Sequence, residues 1–302
     1  MSALTAIPAQ TTSTFTYPEF PAPILLKHTP LIDETAGNPN ALTGLSIWKT
    51  TTTFISLFPL LLSPTSPIFP PSAHDFLEIG CGTGLSALYL LQYLRHVHPN
   101  TKHNMHITDG DPAVVDLLNS NIALNDCPST SLSTLTTGTL IWGSPLPPTS
   151  PLYSIIFGAD LLYSFGSAVN PTKENNCVGG DTGGVVGLMK TVKSLLKESV
   201  PFSEPQPPDL EVRPDLHYKH EDFDHPLFAP LEAYTGGYFL LGIARRSVPI
   251  ELIIDSMHDN GLEYAGVVDE SVNDLFGNLT DGITDMWTHA VIVARHRGAV
   301  AT

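Results

Sequence analysis

The chain has 302 residues, 42% of them hydrophobic and 15% charged, with a formal net charge of −16 at pH 7. That length can bury a full-sized core, so one large domain with appendages is expected. The acidic balance argues against a protein built on phosphate contacts, and so against a nucleic-acid partner; it suits solubility and a protein partner with a basic surface.

Residues 1–40 are rich in Thr, Pro and Ala. Pro8, Pro18, Pro21, Pro23 and Pro30 interrupt any long element there, so the segment is read as an extended arm before a domain over 41–302. The start lacks the basic region of a secretory signal, and the most apolar run, Phe54 to Leu62, is about half a membrane span. Cys81, Cys127 and Cys177 show no C-x-x-C spacing and are read as reduced thiols. The expectation is a cytoplasmic monomer without a membrane partner, with the nucleus left open.

A helix is predicted between Leu45 and Leu62. Strands and helices then alternate as in a parallel sheet with crossovers. Strands are predicted at 76–79, 105–108, 139–142, 154–157, 238–244, 262–268 and 290–294, and helices at 85–95, from Pro112 onward, at 185–196 and at 249–258. Asp111 before Pro112 is a helix N-cap with proline at the first helical position. Glu198 to Glu232 is dense in proline and acids and is read as a surface insertion at about 198–235.

The chemistry is expected where the strands end, because a nucleotide-type ligand of an open α/β sheet sits beyond the carboxyl ends of its strands. The apolar run from Phe76 enters Glu78-Ile-Gly80-Cys81-Gly82-Thr-Gly84 and then a helix. Glycines at alternate positions let the backbone take φ > 0 and approach a ligand closely. The spacing is E-x-G-x-G-x-G rather than the dinucleotide G-x-G-x-x-G. Cys81 is read as a small residue that donates its backbone N–H. Asp109, ending the second strand, is placed to accept from both ribose hydroxyls, and Trp142 offers an aromatic face to an adenine ring. For each there is a plainer reading: an Asx turn before Gly110, and core packing.

Gly44-Leu-Ser-Ile-Trp48, Leu77 to Gly84, Thr108-Asp-Gly-Asp-Pro112 with Asn121-Ile-Ala-Leu-Asn125, Leu140-Ile-Trp-Gly143 and Gly158-Ala-Asp-Leu-Leu-Tyr163 together resemble the seven-strand protein-lysine methyltransferases. Asp160-Leu-Leu-Tyr163 matches the D-x-x-Y signature of that family, in place of the N-P-P-Y of enzymes acting on glutamine and amino-adenine. The wording at 108–112 and 121–125 looks most like the branch that methylates translation elongation factor 2. The resemblance implies an α/β fold, a Rossmann-like seven-stranded sheet that is mostly parallel with the last strand antiparallel and helices on both faces. It implies S-adenosylmethionine as cofactor, with contacts from Trp48, Glu78, Gly80, Cys81, Gly82, Gly84, Asp109, Trp142 and Ala159. Asp160 and Tyr163 would face the target amine as the catalytic pair. The chain departs from the family at Tyr153, where an acid is frequent, and in the wording of its last strands.

Two other functions share this fold: methylation of a small molecule, and a silent scaffold that keeps the cofactor site. The intact glycines, Asp109 and Trp142 argue against the second. His217, His220 and His225, interleaved with Glu221, Asp222 and Asp224, are read as solvated rather than metal-binding. His96, His98, His103 and His106 are read as polar surface.

Overall fold

Side-chain alternation along each strand decides the layers of this molecule. In the computed structural model the residues described are 10–29, 43–62, 66, 75–125, 133–162, 184–198, 236–244, 250–269 and 289–296. A two-stranded antiparallel hairpin, β1 (Thr11–Phe15) and β2 (Ile24–His28), leads to α1 (Lys49–Leu61). There follow β3 (Asp75–Ile79), α2 (Leu85–Val97), β4 (His103–Asp109), α3 (Pro112–Leu124), β5 (Ser133–Thr139) and β6 (Ile155–Ala159). The remaining elements are α4 (Gly184–Leu195), β7 (Tyr238–Ala244), α5 (Ile250–Asp259), β8 (Leu262–Asp269) and β9 (His289–His296).

The main sheet has seven strands in the order β5-β4-β3-β6-β7-β9-β8. The pairings from β5 through β7 are parallel, and β9 runs antiparallel to both β7 and β8. This is the expected Rossmann-like sheet. Phe76, Phe157, Tyr238, Leu240, Val291 and Val293 project to the side covered by the hairpin and α1 to α3. Their neighbours Leu77, Ile156, Phe239, Leu241 and Ile292 project to the side covered by α4 and α5. Both faces are buried, so these strands read as continuous apolar runs. Each such side chain contributes roughly 1.5–3 kcal/mol by leaving water.

Three expectations are corrected. The third strand ends at Thr139, where the sequence suggested that it began; Leu140 to Trp142 lie beyond it, in the turn. The reason is that β5 is an edge strand, Ser-Thr-Leu-Thr-Thr-Gly-Thr, whose polar composition hides it, while Leu140 and Trp142 pack against the core past its end and Ile141 is exposed. The part of the arm over 10–29 is a hairpin whose Phe20, Ile24 and Leu26 belong to the core under α1 to α3. His98 and His103 are buried, with ring centroids 6.1 Å apart and the His103 ring edge-on to Phe76 at 5.8 Å. The acidic stretch 198–235, apart from Glu198, lies outside the described residues, as do Cys127, Cys177, His217, His220 and His225.

Candidate active site

The strand order reverses between β3 and β6: β4 and β5 continue to one side of β3, and β7 lies on the far side of β6. Such a reversal opens a crevice at the carboxyl ends of the two central strands. β3 delivers the glycine turn to this crevice, and β6 delivers Gly158-Ala159-Asp160. The parallel register pairs Glu78 with both Ile107 and Phe157, so these ends lie side by side.

Gly80, Gly82 and Gly84 have φ of 62°, 52° and 81°. At Gly80 the absence of a side chain is also used for space: a Cβ there would meet Leu161 Cδ2 at 2.6 Å and Trp142 Cζ2 at 3.3 Å. Trp142, although outside the strand, is thereby brought against the glycine turn. Gly82 lies against the carbonyl of Gly44, 3.2 Å from where its Cβ would stand, which brings in the segment leading to Trp48. Trp48 is half-buried at the N-cap of α1.

The turn is tied to β4 by two bonds. Cys81 N donates to the Thr108 carbonyl at 2.9 Å, and Gly82 N donates to Asp109 Oδ2 at 3.1 Å. The Cys81 amide, expected to serve a ligand, is thus occupied by the end of β4. Asp111 N donates to the other oxygen, Asp109 Oδ1, at 3.1 Å, and Asp111 Oδ1 caps α3 by accepting from Ala113 N at 2.8 Å. The division of labour between the two acids follows: Asp111 caps, and Asp109 joins turn to strand with lone pairs left over. Burial pushes the Asp109 carboxyl above its ordinary range, opposed by those backbone donors.

Glu78 is fully buried beneath the turn. Burial pushes its carboxyl up to about 8, against hydrogen bonds from Ser86 and the Ala87 amide and with Asp109 adding repulsion. Its Oε2 has no hydrogen-bond partner among the described residues. A buried, orphaned acceptor beside a glycine cradle is suited to a ligand carrying a cationic or N–H group. Cys81 is buried and its thiol is held well above its ordinary pKa by burial and by Glu78 and Asp109. It is not a nucleophile.

Asp160 is non-glycine with φ of 56°, alone in this among the described residues. Its N–H donates to the Gly242 carbonyl at 2.9 Å, so β7 holds the strained residue in place. Left-handed backbone in a non-glycine residue is costly and concentrates where function demands it. Leu161 beside it is buried, and Ala159 pairs with Gly242. Tyr163 lies outside the described residues. Tyr153, where the family pattern has an acid, bonds through its hydroxyl to His106 Nδ1 at 2.9 Å. Burial and Asp75 push its phenol up to about 12. His106 and Tyr153 line a cavity of about 360 Å³ beneath residues 140–151, which none of the crevice residues lines. Among the described residues there is no cluster of acids, histidines and cysteines fit for a metal, and no helix long and apolar enough to cross a membrane.

Comparison with solved structures gives distant likenesses. A S-adenosylmethionine-dependent methyltransferase from Clostridium acetobutylicum is 10% identical, over 85% of this chain and 95% of that one, with a TM-score of 0.46. A putative class I enzyme of the same kind from Listeria monocytogenes is 8% identical, over 85% of this chain and 64% of that one, with a TM-score of 0.47. The glycopeptide N-methyltransferase MtfA is 10% identical, over 82% and 96% of the two chains, with a TM-score of 0.42. No curated protein matches the chain. The profile of a family described as lysine methyltransferase matches residues 32–171. The segment that builds the crevice, from Trp48 through the glycine turn to Asp160, is therefore the segment similar to lysine methyltransferases.

Proposed function

We propose that the protein is a S-adenosylmethionine-dependent methyltransferase whose acceptor is a lysine side chain of a protein. The observation that carries this is the meeting, at the reversal of strand order, of the glycine turn, Asp109, Trp142 and the left-handed Asp160, within the segment that matches the lysine methyltransferase profile. The D-x-x-Y wording supports lysine over glutamine or adenine, and the wording of 108–112 and 121–125 favours a translation elongation factor as the protein methylated.

The cofactor supplies an electrophilic methyl group on a sulfonium, passed to the amine nitrogen as the carbon–sulfur bond breaks. Asp109 would accept from the ribose hydroxyls with the lone pairs left by Gly82 and Asp111, and Trp142, against the glycine turn, would offer its face to the adenine. Glu78 Oε2 would offer a buried acceptor to the cofactor's cationic end, whose charge would favour the carboxylate over the neutral form.

Most of the rate enhancement is positional, since holding amine and methyl donor in line needs no covalent enzyme adduct. The amine must shed a proton first; from a reference pKa near ~10.4, baring the lone pair at neutral pH costs on the order of 4–5 kcal/mol. An apolar channel lowers that cost by disfavouring the charged form. Asp160 would orient the amine by accepting a hydrogen bond, and the D-x-x-Y pattern assigns Tyr163 to the acceptor side of the same site. A carboxylate favours the ammonium, so Asp160 acts as a positioning group and proton acceptor rather than as a field that strips the proton.

The test is transfer of labelled methyl groups into proteins of a lysate lacking this enzyme, with wild type and Asp160→Ala side by side. A discrete labelled protein that disappears with the variant supports the reading. Cofactor binding without protein label overturns the protein-lysine part of it.

A further inference from the structure

The N-terminal hairpin is fastened to α3 by side chains that imitate a strand edge. Asn121 Oδ1 accepts from Lys27 N at 2.7 Å, and Asn121 Nδ2 donates to the Lys27 carbonyl at 3.0 Å. One helical turn later, Asn125 Oδ1 accepts from Leu25 N at 2.8 Å, and Asn125 Nδ2 donates to the Leu25 carbonyl at 2.6 Å. The spacing makes this work: residues i and i+4 on a helix stand about 6 Å apart, close to the distance between residues i and i+2 on a strand. A helix face thus completes the ladder of β2, whose other edge pairs with β1.

The two asparagines differ in one respect. Asn125 spends its remaining bond on its own helix, donating to the Asn121 carbonyl at 2.7 Å. Asn121, fully buried, donates instead to the carbonyl of Thr83 at 2.9 Å, between Gly82 and Gly84. A second route runs in parallel: Thr29 N donates to the Leu45 carbonyl at 2.7 Å and Ser46 Oγ to the Thr29 carbonyl at 3.0 Å, while Gly44 lies against Gly82.

We infer that Asn121 is a positioning residue that couples docking of the hairpin to the shape of the glycine turn, so that cofactor binding and hairpin docking strengthen each other. The inference rests on the reading that the glycine turn holds S-adenosylmethionine. Both amide hydrogens and the oxygen of Asn121 are engaged, so one planar group serves the hairpin at Lys27 and the turn at Thr83, and a shift of either disturbs the geometry the other is offered. Coupling of this kind is reciprocal: whatever stabilises one partner must stabilise the other by the same factor.

Amide hydrogen exchange on the full chain, with and without S-adenosylhomocysteine, tests this without a mutation. The expected result is slowed exchange at residues 24–29 together with the glycine turn. Protection of the turn while 24–29 exchange unchanged overturns the coupling. Absence of any protection, with no heat of binding in a titration, overturns the cofactor reading instead. Two isosteric variants sharpen the outcome, since Asn121→Asp and Asn125→Asp each keep an acceptor for the hairpin and lose their donated bonds. Both should lower the melting temperature, but Asn121→Asp should raise the dissociation constant for S-adenosylhomocysteine by about tenfold, a typical coupling factor, and Asn125→Asp by less than about twofold. Equal effects would show that the hairpin acts through general stability, and the inference fails. If Asn121→Asp does not fold, the exchange experiment on the wild-type chain decides.

Discussion

The amide of Gly82 donates to the carboxylate of Asp109 at 3.1 Å, so the glycine turn and the end of β4 are one unit. The same carboxylate accepts from Asp111 N, at the start of α3. Removing it leaves two donors without their charged acceptor, and hydrogen bonds of that kind contribute about 1.5–3 kcal/mol each. Asp109→Ala should weaken S-adenosylmethionine binding by roughly 10- to 100-fold, read by calorimetric titration. Asp111→Ala should cost stability of about 1 kcal/mol through the lost cap and leave affinity nearly unchanged. Equal affinity losses from the two would contradict the division of roles.

Glu78 should give the fold a pH dependence. Its folded pKa, pushed by burial from 4.5 to about 8, lies above its unfolded value. Between these limits the folded state holds the extra proton, so this contribution is fully present below pH 4.5 and is lost as pH rises through 8, at about 1.4 kcal/mol per pH unit. Asp109 acts in the same direction; the lowered pKa values of His106 and His296 act in the opposite one. The difference between wild type and Glu78→Gln isolates the single group. Urea midpoints from pH 5 to 8 should show the advantage of wild type over the variant shrinking as pH rises, whereas parallel curves would contradict a neutral, buried Glu78.

Gly80 and Gly261 both have positive φ, 62° and 75°, in different surroundings. At Gly261 an added Cβ would lie 3.5 Å from Lys193 Cε, an ordinary contact. Gly261→Ala should therefore cost only the left-handed backbone, roughly 1–2 kcal/mol. At Gly80 the same methyl meets Leu161 and the Trp142 ring, and overpacking of that kind costs a further ~1–3 kcal/mol. Gly80→Ala should also weaken cofactor binding, and Gly261→Ala should not. Thermal unfolding and calorimetry of both variants check this.

Asp160 stores strain that a substitution can release. Asp160→Gly should unfold no more easily than wild type and gain up to about 1 kcal/mol, because glycine adopts φ of 56° without penalty. It should nonetheless lose methyl transfer and keep its affinity for S-adenosylhomocysteine. A variant that is destabilised and still active would show that the side chain holds the β6 turn and does no more.

Much of this could be read from residues because the signals are local. The glycine turn, the Asp111-Pro112 start of α3 and the buried strands all announce themselves within a few positions, and β7 occupies Tyr238–Ala244, the range expected. What escaped was decided at long range. β5 is polar because it is an edge, so the apolar run at 140–142 has the stronger strand signal. The hairpin hides among prolines, with its buried positions Ile24 and Leu26 too few to make a pattern, and its edge is completed by asparagines nearly a hundred residues away. The left-handed Asp160 carries no local mark, since aspartate tolerates that region in ordinary turns.

The most direct measurement is amino-acid analysis of the labelled product. Protein from the transfer reaction, precipitated free of small molecules, is hydrolysed and its radioactive residues are separated. The account predicts label in methylated lysine with wild type and none with Asp160→Ala. Label confined to the small-molecule fraction, or to another amino acid, would contradict it.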